Sequence, residues 1–233
     1  MNLIRLKSVH PETSYAPSWD IPLFQSVWDD VDKNNKIVTW LAKNEQMFLD
    51  TLPAYSSGND GNTGLGQESV TSRFGQYNLF NYADQLPELQ QLLTFFRISY
   101  LNFVQADQTS IKELDIVCWF NILRKDQDIK EHYHGAGHDV YLSGNYHVDN
   151  YDTKTYYVPP YDKNRTYEFD NTQGGLTIFP TYLTHGTTKF SEDLRISIAF
   201  DLRLANNANN ANLNSISFIN KEIYNSLVDS NSN

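Results

Sequence analysis

His132-Tyr133-His134, His185 and Arg195-Ile196-Ser197 are the residues of this chain best suited to chemistry, and their order fits a metal site followed by a receptor for an acid. Two imidazoles two positions apart share one face of an extended strand, because strand side chains alternate with period two. His185, 51 residues after His134, can close a three-cornered set around an ion. Imidazole ligates iron, zinc, copper and nickel alike, so the residue types name no metal. Arg195 and Ser197 also share a strand face. A guanidinium fork with a neighbouring hydroxyl receives a carboxylate through charge-assisted hydrogen bonds. Pairing of their strand with one that carries His185 would turn all three toward one cavity. Four of the six histidines lie between His132 and His147, in a chain of net charge −10. Each motif also has an ordinary explanation: HxH beside Gly135-Ala136-Gly137 can be a polar rim, and an Arg on a strand is often half of a surface ion pair.

The elements that must position these residues divide the chain by character. The opening stretch carries Pro11, Pro17 and Pro22 and reads as an extended entry, with Ile21, Leu23 and Phe24 in a first strand. Ile37, Trp40, Leu41, Phe48 and Leu49 recur at helical spacing over 32–49. Residues 53–66 are a loop rich in Gly, Asn and Ser. A second helix starts near Leu86-Pro87-Glu88, where Pro suits the first turn, and its stripe is Leu89, Leu92, Leu93, Phe96, Tyr100, Phe103 and Val104. From Asp115 the pattern becomes short β runs: 115–123, 140–148, 155–158, 166–169, 176–179 and 194–202. Many short strands at this spacing imply a sandwich or barrel. The strand over 174–180 ends at Pro180, which puts His185 at the start of the next one. Helices first and strands after imply that the helices back one sheet. The division is therefore 1–114 as an extension with supporting helices, 115–203 as the β core, and 204–233 as an Asn-rich linker with a segment at 217–228 able to dock as a short amphipathic element.

Composition narrows the function. The 233 residues suffice for one domain with a large core. The acidic balance and the lack of a basic stripe argue against nucleic acid as primary partner. Cys118 is the single cysteine, so no intrachain disulfide forms, which fits a reducing compartment. No stretch is apolar and long enough for a membrane span, and the first residues lack the apolar core of a signal peptide. The default is a soluble, cytoplasmic protein. Oligomeric state is not legible.

The residues quoted above, with Trp119-Phe120-Asn121, Leu142-Ser143-Gly144-Asn145-Tyr146 and the 174–180 strand, resemble the Fe(II)/2-oxoglutarate-dependent oxygenases, most of all those of bacteria and of T4-like cyanobacterial phages. Gly64-Leu65-Gly66, Ser69, Thr71, Arg73 and Tyr77-Asn78-Leu79 extend the resemblance upstream, so that it covers about 60–203. It implies a mainly β fold with supporting α: a double-stranded β-helix (jelly-roll, cupin-like) core backed by N-terminal helices. It implies Fe(II), 2-oxoglutarate and O2 as cofactors, and a reaction that couples decarboxylation of 2-oxoglutarate to succinate and CO2 with hydroxylation of a C–H bond. The substrate class stays open between a peptide or protein side chain and a small metabolite. By the same resemblance His132 and His185 are iron ligands, Arg195 and Ser197 hold the distal carboxylate of 2-oxoglutarate, His147 or Tyr146 also touches it, and Asn121 points inward near the keto acid or substrate.

The chain departs from the family's usual HxD or HxE at His134. Three arrangements fit: His134 is itself the third ligand, Asp139 supplies a carboxylate from the Gly-rich loop, or the site is degenerate. Two rival functions fit the same residues. A cupin-type metal enzyme would use His132, His134, Asp139 and His185 without 2-oxoglutarate. A non-catalytic β-barrel binding domain would keep only the fold.

Overall fold

The computed structural model describes residues 1–55, 57–137, 140–205 and 213–230. The Asn-rich run at 206–212 and Asp139 lie outside the described residues. The chain opens with strands β1 (Asn2–Lys7) and β2 (Asp20–Val27) and helix α1 (Val31–Thr51). A loop with two short 3₁₀ turns, Val70–Arg73 and Leu79–Tyr82, leads to helix α2 (Glu88–Ala106). Strands β3 (Leu114–Arg124), β4 (Val140–His147), β5 (Lys154–Val158), β6 (Tyr167–Asp170), β7 (Gly175–Pro180), β8 (Thr184–Thr187) and β9 (Leu194–Leu204) form the core. Strand β10 (Ile216–Ile219) and helix α3 (Lys221–Ser230) close the described chain. No helix among the described residues is long and apolar enough to cross a membrane.

The strands form two antiparallel sheets, one in the order β1-β2-β7-β4-β9-β3-β10 and a smaller one in the order β6-β5-β8. This is the mainly β jelly-roll arrangement expected of a double-stranded β-helix. Two additions to the large sheet were not expected. The first residues are not merely an extended entry: Asn2 to Lys7 pairs with β2 from Asn2↔Gln25 to Lys7↔Asp20. At the other edge the C-terminal segment does dock, but its first part pairs with β3 as a strand before α3 begins.

The helices back the large sheet, as their stripes required. Helix α1 starts where the Asp30 carboxylate accepts the Lys33 backbone N–H at 3.1 Å, capping a free donor of the first turn. It ends at Leu52, which is extended because Pro53 follows. All seven apolar residues of the α2 stripe are buried. At roughly 1.5–3 kcal/mol for each buried large apolar side chain, against ~1 kcal/mol for a typical hydrogen bond, that packing is what seats the helix. The contacts are aromatic: Phe96 lies 4.7 Å from Phe200 of β9, and Phe48 of α1 lies 5.0 Å from Phe120 of β3, centroid to centroid.

Period two then decides what faces the other way. On β9, Ile196, Ile198, Phe200 and Leu202 pack in the core under the helices, while Arg195, Ser197, Ala199, Asp201 and Arg203 line a cavity. On β3, Phe120 and Ile122 face the helices, and Val117, Trp119 and Asn121 the cavity. The register sets Asn121 opposite Ser197. Two glycines permit close approaches that hold this frame. A Cβ on Gly144 of β4 would lie 2.2 Å from the Phe200 ring. Gly174, at φ +75°, turns the chain into β7 against the backbone of Trp28, whose carbonyl oxygen would sit 2.1 Å from a Cβ.

Candidate active site

A cavity of about 250 Å³ lies between the two sheets and takes side chains from both. His132, His134 and His185 meet in it, and one ring nitrogen from each lies within 4.8 Å of the others. The route by which they meet differs from a simple strand face. His132 forms one isolated antiparallel bridge with His185, N–H to O in both directions at 3.0 and 2.9 Å. The pairing then shifts, and the His134 N–H goes to the carbonyl of Thr181 at 3.0 Å. The HxH segment is therefore an extended loop stitched to the turn before β8 and to β8 itself, not a strand of its own. Both imidazoles still point the same way.

Each ring is held through Nδ1 by an acceptor. His132 Nδ1 faces the Lys130 carbonyl at 2.8 Å, and His185 Nδ1 the Leu183 carbonyl at 3.1 Å. His134 Nδ1 faces Asp201 Oδ1 at 2.6 Å. Carbonyls and carboxylates only accept, so Nδ1 carries a proton in all three rings and Nε2 is the atom left to face the cavity. Burial lowers the His132 pKa to about 4, helped by His134 nearby, and holds His185 well below the ordinary range. These two rings are thus neutral near pH 7, the state that binds a metal.

Asp201 is the residue the sequence reading missed. It sits on β9 opposite Ser143 of β4, and the Ser143 hydroxyl donates to the same Oδ1 at 2.7 Å. Burial pushes its pKa up, but His134 and the two hydrogen bonds outweigh this, and the carboxyl lies below its ordinary value. A carboxylate that receives a ligand's other ring proton orients that ring and raises its basicity. The count by twos that joins Arg195 to Ser197 reaches Asp201 when carried further, so a signal for it existed.

The residues expected to receive an acid lie toward the other end of β9. Arg195 is 1% exposed, and its Nε and one Nη have no hydrogen-bond partner. Its guanidinium carbon stands 5.7 Å from the centroid of the Tyr151 ring. Burial pulls its pKa down to about 10, which still leaves it charged. A buried, charged, under-bonded guanidinium facing a cavity is costly unless an anion joins it. Ser197 and Asn121 lie beside it, with Asn121 Nδ2 and Ser197 Oγ 3.5 Å apart. Strand β9 pairs with β3 and β4, not with β8, so Arg195 and His185 share the cavity from opposite sheets instead of adjacent strands.

His147 and Tyr146 separate cleanly. His147 lines the cavity, buried, with Nδ1 unpartnered, and its pKa is well below ordinary through burial and the Arg195 charge. Tyr146 is adjacent and so points to the opposite face. Its hydroxyl bonds to Asn34 of α1, and its ring packs against Trp28, Phe95 and Phe96. It is a core residue. Tyr151, from the turn after β4, is the tyrosine near Arg195, and its hydroxyl accepts the Ile196 N–H at 2.9 Å. Nothing in the local sequence marked it. Arg73 is also structural: it is buried and donates to the carbonyls of Leu52, Gln67 and Ser69.

The donor set suits a divalent transition metal: three imidazoles, each oriented through Nδ1 by an acceptor, next to a buried guanidinium able to receive an organic acid. Comparison with known proteins agrees. Residues 117–201 match the family model described as "Putative 2OG-Fe(II) oxygenase". The fold is similar to that of a prolyl-4-hydroxylase from Pseudomonas putida, at TM-score 0.52 and 9% identity over 78% of this chain and 88% of that one. It is similar to HygX from Streptomyces hygroscopicus, solved with iron bound, at TM-score 0.51 and 11% identity over 87% and 94%. A prolyl hydroxylase from Trichoplax adhaerens, in complex with a hypoxia inducible factor peptide fragment, gives TM-score 0.52 and 8% identity over 77% and 83%. No curated protein matches the sequence. The match over residues 117–201 is thus to the 2OG-Fe(II) oxygenases, enzymes whose chemistry takes iron(II), 2-oxoglutarate and O2, and the double-stranded β-helix is the fold of the solved structures of that family.

Proposed function

We propose that this protein is an iron(II)- and 2-oxoglutarate-dependent hydroxylase in which His132, His134 and His185 hold the metal and Arg195 with Ser197 holds the distal carboxylate of 2-oxoglutarate. The observation that carries the reading is the fixed tautomer of the three imidazoles. All three Nδ1 atoms are occupied by acceptors, which leaves three Nε2 lone pairs converging. Iron, when bound there, supplies the activation of O2 that oxidises both the keto acid and a substrate C–H bond.

The chain's own part is to bind, orient and exclude water. His134 is the third ligand in this reading, and the negative charge that a carboxylate ligand would bring is held one hydrogen bond away on Asp201. The Nε and Nη donors of Arg195 gain partners when the cosubstrate carboxylate enters. Asn121 and His147 flank the keto acid, with His147 neutral and so not adding to the local positive charge. Trp119, whose ring centroid is 5.5 Å from that of His134, walls the metal from solvent on the β3 side.

The substrate is a peptide or protein side chain or a small metabolite; the peptide-bound relative and the exposed Tyr133 at the cavity wall support the former. The buried, unpaired Cys118 fits a cytoplasmic setting. The test is succinate formation. Fe(II)-loaded protein should convert 2-oxoglutarate to succinate, and Arg195→Ala should abolish it while metal binding persists. Turnover of any substrate with no consumption of 2-oxoglutarate would favour a cupin-type enzyme instead.

A further inference from the structure

Arg195 is not the only arginine on the cavity face of β9. Arg203 lies eight residues further, on the same face by the count of two, and also lines the cavity. The metal-site histidines stand between them, because His134 is tied to Asp201 and Arg203 is the next cavity-facing residue beyond it. The buried Nε of Arg203 has no hydrogen-bond partner. Asp201, the nearest acid on its strand, has Oδ1 already committed to His134 and Ser143.

A second buried polar atom without a partner lies in the same wall. Thr71 is 2% exposed, lines the cavity from the first 3₁₀ turn, and its Oγ1 is unbonded. Between these groups and His134 the wall is apolar. Phe74 and Trp119 stand 6.0 Å apart, and Val117 sits opposite Asp201 in the register of β3 and β9. An extended molecule along this wall would have a polar anchor at one end and a reacting carbon near the histidines.

We propose that Arg203 is a specificity-determining residue: it receives a carboxylate of the oxygenase's own substrate, whose apolar portion lies along Phe74, Trp119 and Val117 toward the metal. This rests on the reading above, in which the other arginine, Arg195, takes the cosubstrate. The charge favours a carboxylate over a phosphate ester. Arg203 sits near the Asp201 carboxylate and opposite Asp115 in the β3–β9 register, so a monoanion meets less repulsion there than a dianion would. Asp60, the other acid among the described residues that line the cavity, is engaged by the Gly66 N–H at 2.9 Å and acts on His132.

The test uses a matched pair of probes, 3-phenylpropionate and its neutral amide, titrated calorimetrically into the full chain loaded with Zn(II) and saturated with 2-oxoglutarate, so that Arg195 is occupied. The acid should bind about tenfold more tightly than the amide. Arg203→Gln should bring the two within about twofold of each other. Arg203→Lys, which keeps charge but loses the fork, should retain part of the preference and guards against misfolding as the cause. Equal affinity of the wild type for both probes, no binding of either, or a preference that survives Arg203→Gln overturns the proposal. Binding of 2-oxoglutarate is measured in the same samples. Its absence from the wild type would defeat the cosubstrate reading, whereas its presence with no acid preference defeats only the role of Arg203.

Discussion

His134 Nδ1 lies 2.6 Å from Asp201 Oδ1, across the gap between the HxH loop and strand β9. With His134 as the proposed third ligand, that contact places a carboxylate charge one hydrogen bond behind the ring. Replacing Asp201 by Asn keeps the shape and removes the charge. Metal affinity should fall roughly 10–100-fold, the usual effect of losing a partner that orients a ligand. Competition with a chromogenic chelator would measure it. An affinity unchanged in Asp201→Asn would mean that the carboxylate does not support the site.

The metal-free protein should lose stability as pH falls from 7 to 5. Burial lowers the pKa of His132 to about 4 and pushes those of His185 and His147 well below ordinary. An unfolded histidine titrates near ~6.5. Between those values the unfolded chain binds more protons, so stability rises with pH and is lost as pH drops through the unfolded pKa. Urea melts of chelator-treated protein at several pH values would show the slope, and His132→Gln should flatten it.

Arg195 predicts a trade of stability against binding. Its Nε and one Nη are buried and unpartnered, so the cavity holds an uncompensated charge. Arg195→Met should raise the melting temperature of the cosubstrate-free protein and weaken 2-oxoglutarate binding by at least ~30-fold, the equivalent of ~2 kcal/mol for a lost charged contact. Thermal melts with and without 2-oxoglutarate read both effects.

Tyr146 and His147 should respond oppositely. Tyr146→Phe removes the hydrogen bond to Asn34 and leaves that buried amide oxygen unpaired, at a cost of about 1–3 kcal/mol of stability. Its 2-oxoglutarate affinity should stay at the wild-type value, because the ring points away from the cavity. His147→Phe should weaken the cosubstrate. Paired denaturation and binding curves on the two variants decide the assignment.

Much of this was legible in the sequence for physical reasons that differ by element. The α2 stripe was readable because a helix packed on a sheet must repeat its apolar face, and every stripe residue is buried. The β9 face was readable because period two ties Arg195 to Ser197. Strand β1 was hidden: Ile4 and Leu6 alternate with Arg5 and Lys7, but prolines follow closely, and its partner lies beyond them. The HxH segment looked like a strand because local spacing cannot show that its pairing lasts for a single bridge before shifting to Thr181. Tyr151 escaped because its role comes only from the tertiary approach of a turn to β9.

The most direct test of the central claim is a crystal structure of the protein with Mn(II), a redox-stable stand-in for iron(II), and 2-oxoglutarate. The account predicts one ion with Nε2 of His132, His134 and His185 at about 2.0–2.2 Å, and the distal carboxylate of 2-oxoglutarate hydrogen-bonded to Arg195. An ion held by Asp139 in place of His134, or a cosubstrate carboxylate placed away from Arg195, would contradict it.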